Sequence, residues 1–282
     1  MSVRIITDSA SDISQELAKE WGITVLPLSI RFEDDEYLDG VTLSGHDFYE
    51  KLAAAEKLPK TSQITPYTYG VYFQEAVEAG DDVVCFTLSS GVSGSYQSAL
   101  MAADDYEGRV TVIDTRQFCI SELVIVERAV QLRDEGKSAA EIARTIRLEQ
   151  GQAHVLAMFD TLEYLKRGGR LSSAAAFTGN LLGIKPVLTI EDGVVKVLGK
   201  ARGAKRGIHM LKETVEKWEI DFDRPVCLGY TGFSDDRLRE FTEEIKGILA
   251  GVREPLKTAA VGAAIGTYAG PGAIALAFFS KR

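Results

Sequence analysis

Histidine is scarce in this chain of 282 residues. Only His46, His154 and His209 occur, and neither they nor the cysteines Cys85, Cys119 and Cys227 fall at metal-ligand spacing. No histidine has the context of a Ser-His-Asp triad, so each reads as an ordinary helix, strand-edge or surface residue. An odd, widely spaced set of cysteines excludes a disulfide framework and reads as reduced, mostly buried thiols. Positive charge is in deficit: 32 Lys and Arg against 41 Asp and Glu leave a net charge of −9. That argues against broad binding of nucleic acid or of an anionic membrane. No apolar run approaches the roughly 20 residues of a membrane-spanning helix, so no integral membrane segment is expected. The phosphate motifs G-x-x-x-x-G-K-[ST] and G-x-G-x-x-G are missing. Gly91-Val92-Ser93-Gly94-Ser95 approaches a nucleophile elbow but ends in serine where G-x-S-x-G needs glycine. The first strand pattern begins at Val3, so no signal peptide is expected and the chain is expected to be cytoplasmic.

What is present is an ordinary globular composition, 45% hydrophobic and 26% charged, long enough for two domains. Up to residue 150, apolar runs at 3–7, 23–32, 83–88 and 110–114 predict strands. Amphipathic stretches at 13–21, 45–55, 67–79, 95–106, 121–135 and 139–150 predict helices between and after them. Ser44 with Asp47 and Ser138 with Glu141 fit capping boxes, and Thr65-Pro66 fits an N-cap with proline at the first helical position. Strands alternating with helices predict a parallel-sheet, Rossmann-like α/β domain over 1–150. The acidic run 33–39 reads as a hairpin or a solvated turn. From 151 to 282, strands are predicted at 154–160, 186–190, 194–198, 225–230, 257–261 and 273–279. Helices are predicted at 162–167, 174–182, 203–217, 235–249 and 262–268, with a hairpin turn at Glu191-Asp192-Gly193. This second part is expected to be a mixed-sheet α/β domain, with a ligand between the two domains.

Three polar loops stand out. Ser89-Ser90-Gly91-Val92-Ser93-Gly94-Ser95 links an apolar strand to a helix, so its hydroxyls and free N–H groups, with the helix dipole behind them, suit an anion. The other two are 60–66, rich in hydroxyls, and 266–272, rich in glycine. Each alone reads as local capping; together, without a catalytic base, they describe an anion binder better than an enzyme. Asp8 and Asp12 end the first strand, where helix capping by Asp12 and a loop network from Asp8 are the plainer roles and lining a cleft the sharper one. Lys166-Arg167-Gly168-Gly169-Arg170 reads as a solvated basic surface or as a docking point for a phosphate or a partner, opening a helix capped by Ser172 or Ser173. An enzyme acting on a small phosphorylated or carboxylated substrate at the same loops is the alternative, and it requires a general base beside Ser93.

The blocks Thr7-Asp8-Ser9-Ala10-Ser11-Asp12, Thr61-Ser62-Gln63, 88–99, 165–170, Ile184-Lys185-Pro186 and Gly270-Pro271-Gly272, in that order, resemble the DegV family. Those proteins are the fatty-acid-binding subunits of the bacterial fatty acid kinase. The resemblance spans the whole chain and implies a two-domain DegV-like fold with one long-chain fatty acid, such as palmitate or oleate, lying in an apolar tunnel. It implies that Thr61 and Ser93 hold the carboxylate; the N–H groups around Gly94 and the Tyr268 hydroxyl are further candidates for the head group, and Arg170 and Arg202 are candidates for meeting the kinase subunit. On this reading the chain does no chemistry and needs neither cofactor nor metal. The partner kinase makes an acyl phosphate for phospholipid synthesis. One departure is Tyr268, where the family often has histidine: a neutral hydroxyl replaces a group that can carry charge. A chain of about fourteen methylenes at about 0.8 kcal/mol each gives on the order of 11 kcal/mol before ordering costs, so the head-group contacts need only orient and select. The stretches 174–184 and 273–279 are expected either to line such a tunnel or to be plain core.

Overall fold

A computed structural model describes residues 2–171, 183–252 and 255–281. The helix expected at 174–182, its caps Ser172 and Ser173, and most of the apolar stretch 174–184 lie outside them. Strand β1 (Val3–Asp8) leads through a 3-10 turn to helix α1 (Gln15–Trp21). Ser14 caps α1, its hydroxyl accepting the Leu17 N–H at 3.1 Å. Asp12 therefore does not cap this helix: it sits in the left-handed region at φ 57°, and its carboxylate turns toward the C-terminal part of the chain.

The strand expected over 23–32 is two strands. β2 (Thr24–Leu26) pairs in parallel with β1, whereas β3 (Ser29–Phe32) joins a different sheet. Pro27 stands at the break, where it has no N–H to give a continuing ladder. β4 (Asp35–Leu38) pairs back onto β3 through a tight turn at Glu33 and Asp34, so the acidic run is a hairpin. Its last residue, Asp39, is not solvated but buried. After α2 (Gly45–Ala54), β5 (Lys60–Ser62) adds to the other edge of β3, inside what the sequence reads as a loop. The small antiparallel sheet thus runs β4-β3-β5.

Next come α3 (Pro66–Glu78), β6 (Asp82–Thr87), α4 (Ser95–Ala103), β7 (Val110–Asp114), α5 (Ile120–Asp134) and α6 (Ala139–Glu149). α3 starts at the expected Thr65-Pro66 cap, and Ser138 with Glu141 forms the reciprocal capping box of α6. At Ser44 only half of the box forms: its hydroxyl accepts the Asp47 N–H, but the Asp47 carboxylate takes that hydroxyl's proton and not the backbone's. The main sheet, β2-β1-β6-β7, is wholly parallel, as predicted. Chain order reverses between β1 and β6, so the loops after these two strands flank the crevice where open parallel sheets hold ligands.

The second sheet is mixed, in the order β10-β9-β8-β13-β11-β12. Its strands are β8 (Ala153–Met158), β9 (Ile184–Glu191), β10 (Val194–Arg202), β11 (Val226–Tyr230), β12 (Lys257–Ala260) and β13 (Ile274–Phe279). Short α7 (Glu163–Arg167) follows β8, and α10 (Ala263–Ala269) precedes β13. α8 (Ala204–Trp218) and α9 (Asp236–Ile245) cover one face of the sheet, burying Ile208, Leu211 and Val215, and Leu238, Phe241 and Ile245, at helical spacing. α5 is buried along most of its length, Ser121, Glu122 and Glu127 included, because both sheets pack against it. It packs on β1 of the parallel sheet and on β8, β11 and β13 of the mixed one, so one core cluster joins Ile5 and Val84 to Val155 and Phe279. All three cysteines are free; Cys85 and Cys227 are buried and Cys119 is half-buried.

Candidate functional site

The loop after β6 is a fixed turn. The Val92 and Ser93 N–H groups both bond the Ser89 carbonyl at 3.2 Å. The Ser89 hydroxyl donates to the Gly193 carbonyl at 2.7 Å, seating the β9–β10 hairpin turn on the loop. α4 then begins at Gly94 without a side-chain cap on that residue. Ser93 Oγ accepts the Ser95 N–H at 3.2 Å and shares a hydrogen bond with the Ser95 hydroxyl at 3.1 Å. Gly94 is glycine because there is no room for more: a Cβ there would overlap the Gln63 amide oxygen. Gln63 Nε2 in turn donates to Ser98 Oγ at 2.9 Å, so the segment after β5 is tied to the start of α4.

Tyr268 comes to the same place from α10. Its hydroxyl meets Thr61 Oγ1 at 2.6 Å. The Arg170 guanidinium lies 4.8 Å from the centre of its ring, and a Cβ at Gly168 would overlap the ring's Cδ1 and Cε1. The paired glycines of the basic loop therefore serve two purposes. Gly168 makes room for the tyrosine, while Gly169 takes φ 70° in the turn that ends α7.

Thr61, Gln63, Ser93, Gly94, Arg170 and Tyr268 all line one cavity of about 1270 Å³, its open mouth included. The rest of the wall is mainly apolar. Leu28, Leu88, Val92 and Phe118 come from the first part of the chain, Ile120 from α5, and Val155, Phe159, Leu188, Ile190 and Val195 from the mixed sheet and its loops. Ile265 and Ala269 of α10 and Ala273, Ile274 and Ala275 at the start of β13 add to it, and Thr189, Tyr230 and Thr231 are polar exceptions. The 273–279 stretch is thus divided: its first residues line the cavity, while Phe278 and Phe279 are core. The predicted site residues Thr61, Ser93, Gly94, Tyr268 and Arg170 are brought together. Arg202 is exposed at the end of β10 and is not among the described residues that line the cavity.

Beneath the Ser-Gly loop lies a set of buried carboxyl groups. Asp8 accepts the Leu88 N–H at 2.8 Å and the Ala10 N–H at 3.1 Å, the loop network expected of it. Burial pushes its carboxyl up to about 7, against the opposing pull of those two N–H groups. Burial likewise raises Glu122, which accepts the Thr7 hydroxyl, and raises Asp12 and Asp39. Asp8 itself does not line the cavity, but Ala10 and Leu88, whose N–H groups it holds, do. Cys119 also faces the cavity; burial pushes its thiol up to about 12, so it is no nucleophile at neutral pH. No histidine is among the described lining residues, and the side-chain hydrogen bonds of Ser93 run to Ser95, not to a carboxylate or imidazole.

A family model described as an uncharacterised protein of the DegV family matches residues 2–281. The chain belongs to the DegV family. A DegV domain-containing protein of Caldanaerobacter subterraneus is 38% identical over 99% of both chains, and one of Deinococcus radiodurans is 34% identical over 98% of both. Among solved structures, a DegV family protein from Thermus thermophilus, described by its fatty acid binding, superposes with a TM-score of 0.90 at 32% identity, covering 99% of this chain and 100% of that one. A stearic-acid-binding protein from Eubacterium ventriosum gives 0.88 at 29% identity, covering 100% and 99%. The two-domain DegV fold, with its parallel and mixed sheets, is therefore the fold of this chain. Among the described residues no helix is long and apolar enough to cross a membrane. What sequence reasoning missed is Asp39, hidden in an acidic run that reads as surface.

Proposed function

We propose that this DegV protein binds one long-chain fatty acid in the cavity, its carboxyl group at the cluster of Thr61, Ser93, Gly94 and Tyr268 and its tail among the apolar walls. The observation that carries this reading is the division of the lining. Hydroxyl and amide donors gather where β5, α4 and α10 meet, and the remainder is mainly hydrocarbon, interrupted by Thr189, Tyr230 and Thr231. Tail burial supplies the affinity and the donors supply the choice of a carboxylic acid. The related Thermus and Eubacterium proteins, with their fatty-acid and stearic-acid binding, support it.

We infer further that the chain presents the bound carboxylate to a separate fatty acid kinase for acyl-phosphate formation, with Arg170 at the mouth and the exposed Arg202 on the partner-facing side. On this reading the protein itself is non-catalytic and works in the cytoplasm. Mass spectrometry of the purified, denatured protein should release a fatty acid of the palmitate or oleate class in about equimolar amount. A lipid-free protein that also fails to take up added palmitate or oleate would overturn the reading.

A further inference from the structure

α10 has seven residues, too few to hold its shape unaided. Its first N–H groups are taken by two buried carboxylates from the other end of the chain. Asp39 Oδ1 accepts from Ala263 at 2.8 Å and Asp39 Oδ2 from Ala264 at 3.1 Å, while Asp12 Oδ1 accepts from Gly262 at 2.9 Å. Side-chain oxygens that accept the orphan N–H groups of a helix amino terminus are the favourable sense of that contact. Asp39 directly follows β4, and its own N–H bonds the Leu28 carbonyl at 3.0 Å, just before β3. Thr61, which meets the Tyr268 hydroxyl at the opposite end of α10, stands on β5 and pairs with Ile30 of β3. One three-stranded sheet therefore grips α10 at both ends, and the distance between the two grips is set by the rise of the helix, about 1.5 Å per residue.

We propose that Asp39, assisted by Asp12, is a positioning residue for Tyr268: by fixing the start of α10 it sets where the tyrosine hydroxyl stands beside Thr61 and hence how the ligand's carboxyl group is held. The proposal rests on the fatty-acid reading and adds to it a part of the chain that touches no ligand. Close packing supports the same view. A Cβ on Gly266, in the middle of α10, would stand 2.7 Å from Phe48 and 2.8 Å from the Tyr49 hydroxyl, so the helix has no slack toward α2. The Tyr49 hydroxyl also donates to the Val261 carbonyl at 3.2 Å, holding the segment that leads into α10.

The test is a double-mutant cycle on the delipidated full chain, titrated with palmitate and with 1-hexadecanol. Asp39→Asn and Tyr268→Phe should each cut the preference for palmitate over the alcohol about three- to tenfold, the range of one lost hydrogen bond. The double variant should be no worse than the poorer single, because both remove the same contact. A purely structural Asp39 would weaken both ligands alike and multiply with Tyr268→Phe, and either result overturns the proposal. Should Asp39→Asn not fold, Asp12→Asn and Gly266→Ala serve in its place, the second shifting α10 without touching a carboxylate. Each should show the same non-additivity with Tyr268→Phe. Wild-type protein that takes up neither ligand overturns the fatty-acid reading and the positioning with it; normal uptake with the preference unchanged in the variants overturns the positioning alone.

Discussion

Thr61 and Tyr268, 207 positions apart in the chain, bring their hydroxyls within 2.6 Å of each other at the rim of an apolar cavity. A carboxylate placed there accepts from both hydroxyls only after that pair has turned outward, because each hydroxyl carries a single proton. Thr61→Val keeps the shape of the side chain and removes the donor. The expected result is a loss of palmitate affinity of about three- to tenfold with the melting temperature nearly unchanged, read by calorimetric titration and thermal melting. Unchanged affinity would remove Thr61 from the site.

Gly94 is a packing constraint as well as a helix start. In Gly94→Ala the new methyl meets the Gln63 amide and must displace it from Ser98. Such overpacking costs about 1–3 kcal/mol and should loosen the loop that carries Ser93. Adding Gln63→Ala removes the clash, so the double variant should melt above Gly94→Ala alone. A double variant that melts lower would show that the collision is not what destabilises it.

Much of this was legible in the sequence, for identifiable reasons. The Ser-Gly loop announced itself because an apolar strand and a helix pattern flank it, and the parallel sheet followed from the alternation of the two periods. The break at Pro27 was written in the proline but outvoted by apolar residues on both sides. β5 escaped because three residues, Lys60-Thr61-Ser62, carry no alternating pattern, and only pairing with β3 makes them a strand. Asp39 escaped for a different reason: burial of a carboxylate depends on which backbone donors reach it, and its donors lie 224 and 225 residues away.

The stability of the protein should depend on Asp8 in a stated direction. Burial lifts this carboxyl from 3.8 to about 7 in the folded chain. Between those pH values the folded state keeps a proton that the unfolded state has released, so stability falls as pH rises through the window. At about 1.4 kcal/mol per unit the effect is at most on the order of 4 kcal/mol. Glu122, Asp12 and Asp39, shifted in the same sense by burial, steepen the same slope. Asp8→Asn should therefore show a shallower decline of melting temperature from pH 4 to 7 than the wild type. Equal slopes would mean that Asp8 is charged throughout.

Tyr268→His tests what the neutral hydroxyl does. A sulfonate such as hexadecanesulfonate stays ionised at every working pH, so only the protein titrates. The variant should bind it more tightly below about pH 6.5, where imidazole gains charge. The ratio of variant to wild-type affinity should therefore rise on acidification. A constant ratio between pH 5.5 and 8 would place position 268 away from the anion.

The grip of β4-β3-β5 on α10 also has a consequence for biosynthesis. On a ribosome, the walls contributed by the first 150 residues emerge long before the helix that bears Tyr268. Until residue 269 has left the exit tunnel, the Asp39 carboxylate has no helix to cap and Thr61 has no hydroxyl to meet. A nascent chain thus has an unfinished, greasy crevice that holds Thr61, Ser93 and Gly94 but lacks Tyr268 and the wall from β13, so the donor set is complete only once α10 has docked.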